Sequence, residues 1–321
     1  MDITFINVGY GDSILIRSAE HRVLIDGGTA NPAEFSGNRT ESYAWLCSQG
    51  IKSLDAVILS HIHDDHVCGL EKIIDRLDVK ELWLPYPPDV FRDGREAHTL
   101  ENAPNNLILF TRAFNCIRRV VLSAQEKGMT VRELDAAVSM RLGIGRLSID
   151  VLGPDTERKA EFLGLLQKAY CAATDEEAVP LLISLDRLSN DASLLLRISD
   201  DDGSALFPGD SCPPAWQHLL PSGMLKSDLW KLPHHGQIDS VTEQAIRGIS
   251  PSVVVTTSSS DRRYNSSNPA VYSAIRNTLS NMKPTFLFSD EYSYPPYFSG
   301  KEGSRALQVT MSDGYAVVAF E

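Results

Sequence analysis

The amino-acid sequence predicts an α/β protein arranged as a four-layer αββα sandwich, two strand-rich halves with helices outside them. Three observations point there. Apolar residues alternate with polar ones near the start, helical spacing takes over in between, and the closing third returns to short strands separated by helices.

Ile3 and Phe5 recur two apart, as do Ile14 and Ile16 after Gly9-Tyr10-Gly11-Asp12. Val23-Leu24-Ile25 follows a polar turn at 19–22 and ends at Asp26-Gly27-Gly28, so three strands joined by tight turns are expected. Residues 40–49 read as a short helix, with Gly50 supplying a left-handed stop. The apolar run from Leu54 to Leu59 is a buried strand that delivers the chain to Ser60-His61, and Val67, Leu70, Ile74 and Leu77 then recur at helical spacing. Leu82-Trp83-Leu84 is a further strand, halted by Pro85, Pro87 and Pro88, with a polar loop to about Asn106. A helix is expected over 106–128, a strand over 147–152, and a helix over 162–173 followed by an acidic loop. Residues 193–198 and 204–207 pair as a hairpin across Asp200-Asp201-Asp202-Gly203. Strands at 229–232, 252–257 and 285–288, with a helix over 269–279, complete the pattern.

The chain has 321 residues, 43% of them hydrophobic, enough to bury a sizeable core in one large domain spanning 1–321. Its 30 Lys and Arg against 42 Asp and Glu give a formal charge of -12, which disfavours broad electrostatic binding to nucleic acid or to an anionic membrane. Bound divalent metal would still make a cleft locally positive. The five cysteines (Cys47, Cys68, Cys116, Cys171 and Cys212) are scattered and form no Cys-x-x-Cys pair, so neither a disulfide framework nor a cysteine zinc site is expected, and Cys68 and Cys212 are read as small core residues. Met1-Asp2-Ile3-Thr4-Phe5 lacks the basic and apolar regions of a signal peptide, and no apolar run reaches the roughly 20 residues of a membrane span. The expectation is a soluble, cytoplasmic protein.

Chemistry concentrates in Ser60-His61-Ile62-His63-Asp64-Asp65-His66, four potential metal ligands within six residues. Residues two apart in an extended chain face the same way, so His61 and His63 can share one metal. Once the chain turns into a helix, Asp65 and His66 can face a second ion, roughly 3.5–4 Å away as in two-metal sites. Imidazole and carboxylate suit one or two zinc ions, with manganese or iron as alternatives.

His-x-His-x-Asp-His after an apolar strand resembles the signature of the metallo-β-lactamase superfamily. Val8-Gly9-Tyr10-Gly11-Asp12-Ser13 and Val23-Leu24-Ile25-Asp26-Gly27-Gly28 are similar to the opening strands of its branch related to the DNA-uptake protein ComEC and to phosphorylcholine esterases. Leu206-Phe207-Pro208-Gly209-Asp210 resembles the strand ending in Thr-Gly-Asp, with Pro208 in place of Thr, and Lys231-Leu232-Pro233-His234-His235-Gly236 resembles the branch's His-His-Gly segment. The likeness spans nearly the whole chain and is weakest over 85–189, where a family insertion would sit. It implies the four-layer fold, Asp210 as the carboxylate bridging two metals, and Asp26 as a hydrogen-bonding support for the metal loop. His234 and His235 are adjacent, so in an extended backbone only one can face the metals; His235 is favoured, leaving His234 to contact substrate or protonate the leaving oxygen. Where many superfamily members place another histidine, this chain has Asn190-Asp191-Ala192-Ser193, and where the branch often has His-Pro it has Asn268-Pro269. Asn190, Ser193 and Asn268 are therefore expected to support the site or touch a bound water or substrate.

The resemblance implies a hydrolase in which a metal-bound hydroxide attacks, oriented by Asp65 or Asp210, with a small phosphodiester as the favoured substrate and nucleic acid disfavoured by the acidic charge. Carboxylic ester, lactone or amide hydrolysis is the second reading. A metal-poor binding or regulatory protein is the third, motivated by Asn190 and Asn268. His21, His98 and His218 are read as surface residues, and Arg262-Arg263-Tyr264 as a solvated loop able to meet a phosphate.

Overall fold

Alternating side chains decide which layer each strand meets. In β1 (Asp2–Ile6), β2 (Ile14–Ser18), β3 (His21–Ile25) and β4 (Ser53–Ile58), Ile3, Phe5, Ile14, Ile16, Val23, Ile25, Ala56 and Ile58 face one core, while Ile6, Leu15, Leu24, Leu54 and Val57 face another. The computed structural model describes residues 1–98, 103–136, 141–291, 293–298, 304–312 and 315–321. Among these, β5 (Asp78–Leu84), β6 (Thr130–Glu133), β14 (Ala306–Ser312) and β15 (Tyr315–Phe320) complete a sheet in the order β15-β14-β1-β2-β3-β4-β5-β6.

The second sheet runs β13-β12-β11-β10-β9-β8-β7. Its strands are β7 (Arg141–Ile144), β8 (Leu147–Gly153), β9 (Leu195–Asp200), β10 (Gly203–Phe207), β11 (Leu229–Lys231), β12 (Val253–Thr256) and β13 (Thr285–Phe288). Ile149, Leu196, Ile198, Phe207, Val253 and Val255 interleave with the inner face of the first sheet. On the outside of the first sheet lie α1 (Ser42–Ser48), α2 (Asp64–Val67), α3 (Leu70–Arg76), α4 (Asn105–Glu126), α5 (Thr156–Cys171) and α6 (Asp175–Ser189). Against the second pack α7 (Pro213–Trp216), α8 (Glu243–Ile249) and α9 (Pro269–Thr278). The four-layer αββα architecture predicted from the sequence is the one observed.

Two expectations change. The segment after α5 is not an acidic loop but helix α6. Thr174 caps it by accepting from the Glu177 N–H at 3.3 Å, and the Glu177 carboxylate accepts the Ala173 N–H at 2.8 Å. Asp175, Glu176 and Glu177 then sit in the first turn, where negative charge complements the helix dipole, so the acidity that reads as a loop marks a helix start. Nor are the two sheets the two halves of the sequence: β14 returns across the molecule to pair antiparallel with β1, Ile3 opposite Val309. The polar loop after β5 contains a buried anchor, Phe91, in a single turn over Pro88–Phe91; its residues 99–102 lie outside the described residues. No helix among the described residues is long and apolar enough to cross a membrane.

The strand ends that carry the site are clamped backbone to backbone. Gly27 donates to the His66 carbonyl and Gly69 to the Gly28 carbonyl, each at 2.8 Å, and a methyl on Gly69 would overlap the Gly27 carbonyl oxygen. Gly69→Ala is therefore expected to cost about 1–3 kcal/mol of unfolding free energy, measured by chemical denaturation; an unchanged midpoint would show that this crossing tolerates a side chain.

Candidate metal centre

The chain loops that leave β1, β3, β4, β10, β11 and β12 converge at one edge of the two sheets, and they bring the candidate ligands together from far apart in sequence. Asp65 and His66 follow β4, Asp210 follows β10 and His235 follows β11. Their ligand atoms all lie within 4.8 Å of one another. His235 Nε2 is 3.1 Å from an oxygen of Asp65 and 3.1 Å from one of Asp210; His66 Nε2 lies 3.6 and 3.5 Å from the same two carboxylates.

Hydrogen bonds at the far side of each ring set which nitrogen carries a lone pair. His235 Nδ1 donates to the Thr257 carbonyl at 2.7 Å, and His66 Nδ1 donates to Asp26 at 2.8 Å. In the neutral rings both Nε2 atoms are then acceptors, and both are buried with no hydrogen-bond partner. Two orphaned imidazole lone pairs facing two carboxylates fit a divalent cation, and the nitrogen and oxygen donors suit zinc, manganese or iron. Asp26 holds the arrangement: one oxygen accepts the Ser60 N–H at 2.7 Å and the other accepts the Ser60 hydroxyl at 2.6 Å and His66.

His61 and His63 lie beside this cluster, with His61 Nε2 3.0 Å from His63 Nδ1. The Ser60 hydroxyl spends its proton on Asp26, so it accepts from His61 Nδ1 at 3.0 Å, which leaves the His61 Nε2 lone pair facing His63. His63 Nε2 lies 3.3 Å from Asp186 of α6. With its Nε2–H directed at Asp186, His63 presents Nδ1 beside His61 Nε2, a pair of nitrogens open to a second ion. Asp64, between the ligands, faces away, accepting from Thr29 Oγ1 at 2.7 Å and from Arg112 at 3.1 Å.

His234 and His235 are not in an extended backbone. Both are left-handed, at φ 48° and 51°, a conformation that is strained for residues with a side chain. The following loop holds it, since Ser267 N–H donates to the His235 carbonyl at 3.0 Å and Asn268 N–H to the Gly236 carbonyl at 2.9 Å. The two rings diverge: His235 is fully buried, while His234 turns toward the cavity, its Nε2 3.3 Å from Asn190 Nδ2 and its Nδ1 3.1 Å from Asp239. Asn190, at the end of α6, thus lies beside His234. Ser193 Oγ is buried and unpartnered behind Gly209. Asn268 is a correction: its side chain caps α9, accepting the Ala270 N–H at 3.0 Å, and only its backbone braces the His-His-Gly turn.

Sequence reasoning overlooked the group beneath the cluster. Lys231, fully buried in β11, forms an ion pair with Asp12 and donates to the Gly209 carbonyl at 3.0 Å, with Asp210 at 3.5 Å. Asp12 also accepts from Thr257 Oγ1 at 2.5 Å and lies 3.8 Å from His235. The available signal was a lysine inside the apolar stretch Leu229-Trp230-Lys231-Leu232, a position that only a buried counter-charge can satisfy. Asp186 and Asp239 were likewise missed, because nothing in their local sequence marks them.

Burial and charge act in opposition here. Burial raises the Asp65 carboxyl, but the His66 and His235 imidazoles outweigh it and hold its pKa at about 2. Burial also raises Asp210, and His235, His66 and Lys231 pull it well below the usual carboxylate range. Burial lowers His235, yet Asp210 and Asp65 lift it to about 9. His61 is driven well below the usual imidazole range by burial and by His66 and His63. The cluster opens into a cavity of about 500 Å³, with Tyr10, Asn105, Phe110, Arg112 and Arg263 among its walls.

Comparisons with known proteins agree with this architecture. The family model described as "Metallo-beta-lactamase superfamily" matches residues 6–123, a range that includes the histidine cluster but not Asp210 or His235. ComE operon protein 3 of Bacillus subtilis (strain 168) is 23% identical over 278 residues, which is 82% of this chain and 29% of that protein, so the chain spans under a third of that relative's length. Among solved structures, the metallo-beta-lactamase fold protein YhfI of Bacillus subtilis is 12% identical and superposes with a TM-score of 0.50 over 96% of this chain and 99% of its own. CmlA, a diiron beta-hydroxylase from Streptomyces venezuelae, is 12% identical with a TM-score of 0.50 over 89% of this chain and 52% of its own. These likenesses show the fold.

The raised pKa of His235 has a definite sign. In the metal-free protein its imidazolium stabilises the fold fully below the ordinary imidazole pKa of about 6.5, and that contribution is lost as the pH rises through about 9. A metal must displace this proton, so apparent metal affinity is expected to climb with pH up to about 9, roughly tenfold per unit for each proton displaced. Titrations against a competing chelator check it, and a flat profile would contradict the assignment of His235 as a ligand.

Proposed function

We propose that this protein of the metallo-β-lactamase superfamily is a metal-dependent hydrolase whose substrate is a small phosphodiester. The observation that carries the reading is the convergence of His66 Nε2, His235 Nε2 and the Asp65 and Asp210 carboxylates within 4.8 Å, both nitrogens lacking partners, at a cavity that Arg112 and Arg263 also line. Asp65, His66, Asp210 and His235 would hold one ion, and His61 and His63 would hold a second, weaker one, because Asn190 stands where a further histidine ligand would be needed. Asp210 would serve both. Zinc is the favoured metal, and iron, present in the CmlA relative, is a second candidate. Bound divalent ions supply a water of lowered pKa and positive charge to offset the developing anion.

The chain's own groups provide the rest. Asp65 and Asp210 stay ionised throughout the physiological range and orient the attacking water by accepting its hydrogen bonds. His234 faces the cavity with its ring fixed by Asp239, a geometry suited to protonating the leaving oxygen. Arg112 gives one nitrogen to Asp64 and, with Asn105 and Asn106, lines the wall where phosphate oxygens would lie.

Asp65→Ala and His61→Ala are expected to lose bound metal and activity together, read by metal analysis and by turnover of bis-p-nitrophenyl phosphate alongside carboxylic ester and lactone substrates. A metal-replete, fully active Asp65 variant would sink the site assignment; turnover of the ester or lactone alone would replace the phosphodiester reading. His234→Ala is expected to lower kcat by about 10²–10⁴ on an alkyl phosphodiester, whose leaving oxygen needs a proton, with little effect on the p-nitrophenyl ester and none on metal content. Equal losses on both substrates would remove His234 from the acid role.

A further inference from the structure

Cys212, His234 and Asp239 place a sulfur, a nitrogen and a carboxylate oxygen within 4.8 Å of one another, beside the cluster but sharing no ligand with it. We propose that these three side chains form a separate site for a thiophilic divalent cation such as zinc, and that its occupation withdraws His234 from the cavity.

The positions are built into the fold. Cys212 leaves β10 two residues after Asp210 and begins α7, where Pro213 and Pro214 fix the backbone that follows. His234 and Asp239 leave β11, the parallel neighbour of β10, so both loops emerge at the same sheet edge. The left-handed backbone at His234 aims its ring away from His235, and Nδ1 meets the two Asp239 oxygens at 3.1 and 3.2 Å. The Cys212 thiol makes a long contact, 3.7 Å, to the Asp210 carbonyl and interacts with the Asp239 carboxylate. His234 and Asp239 are accessible to solvent and Cys212 is half-buried, so a cation can enter from the rim.

The donor set selects the ligand. A thiolate favours zinc, cadmium or monovalent copper over magnesium or calcium, and thiolate plus carboxylate offset a divalent charge while imidazole adds the third bond. Binding releases the thiol proton to solvent and moves the imidazole proton from Nδ1 to Nε2. Asn190 can accept the new Nε2–H as a hydrogen bond, because its Oδ1 is buried without a partner and a half-turn of the amide presents that oxygen to His234 Nε2. The nitrogen facing the cavity is then committed to Asn190, and excess metal inhibits. The binding part of the proposal is independent of the phosphodiester reading; the inhibition rests on it.

The test uses the full chain with the exposed Cys47 and Cys171 replaced by Ser in every sample, loaded with zinc, dialysed until only the tightly held ions of the histidine and aspartate cluster remain, and titrated with Cd²⁺ while thiolate-to-cadmium absorption in the ultraviolet is followed. One further equivalent should produce the band. Cys212→Ser should abolish it, keep the basal turnover and remove inhibition by excess metal, and Asp239→Asn, with its circular dichroism unchanged, should weaken the binding by about tenfold or more. The absence of a band, or the same band in Cys212→Ser, overturns the site. A Cys212-dependent band without inhibition retains the site and overturns its action on His234.

Discussion

An ammonium in the middle of an apolar strand is expensive to desolvate, by several kcal/mol even after relaxation, and Lys231 is fully buried. What it allows is the closeness of Asp12 and Asp210. Lys231 stands between them, so Asp12 can lie under His235 and His66 while Asp210 reaches up to their other nitrogens. Asp12 belongs to a loop of the first sheet and Lys231 to a strand of the second, which makes the ion pair a tie across the seam where the ligands meet. Burial lowers the Lys231 pKa, but Asp12 and Asp210 more than offset it, so the ammonium keeps its charge.

Above that tie the site is a hierarchy of carboxylates with different partners. Asp26 orients His66 and fixes Ser60, and Ser60 in turn fixes the tautomer of His61. Asp64 faces Thr29 and Arg112. Asp65 and Asp210 turn oxygens toward the Nε2 atoms of both His66 and His235. In a medium of low dielectric such a gathering of like charges is tolerable because the imidazoles are cationic in the metal-free protein, and a divalent ion can take over that role when it displaces their protons.

The sequence was informative where ligands are close together and silent where they are assembled across the fold. His61, His63, Asp65 and His66 fall on one strand-to-helix turn, so spacing alone brings them to one place. Asp210 and His235 were legible only through their order along the chain. Lys231 and Asp12 carry no spacing signal, since their partnership exists only once the two sheets are stacked. Asp186 and Asp239 depend on a helix start and a left-handed turn that local composition disguises. Asn268 illustrates the reverse error, because an Asn before Pro is as good a helix cap as it is a substrate contact, and the cap is what the structure shows. The strands at the end of the chain, β14 and β15, had no expectation attached, although they close one side of the first sheet.

Helix α6 touches the site at three points along little more than one turn: Asp186 meets His63, Ser189 Oγ donates to the Ile62 carbonyl at 2.9 Å, and Asn190 reaches His234. The metal loop and the cavity-facing histidine, which come from different sheets, are thereby read by a single rigid rod. A shift of that rod by a fraction of a turn would reorient His63 and His234 at once, while leaving both sheets untouched. The helical segment is accordingly the natural place to retune this protein toward another substrate, because a few changes there remodel the chamber without redesigning its floor.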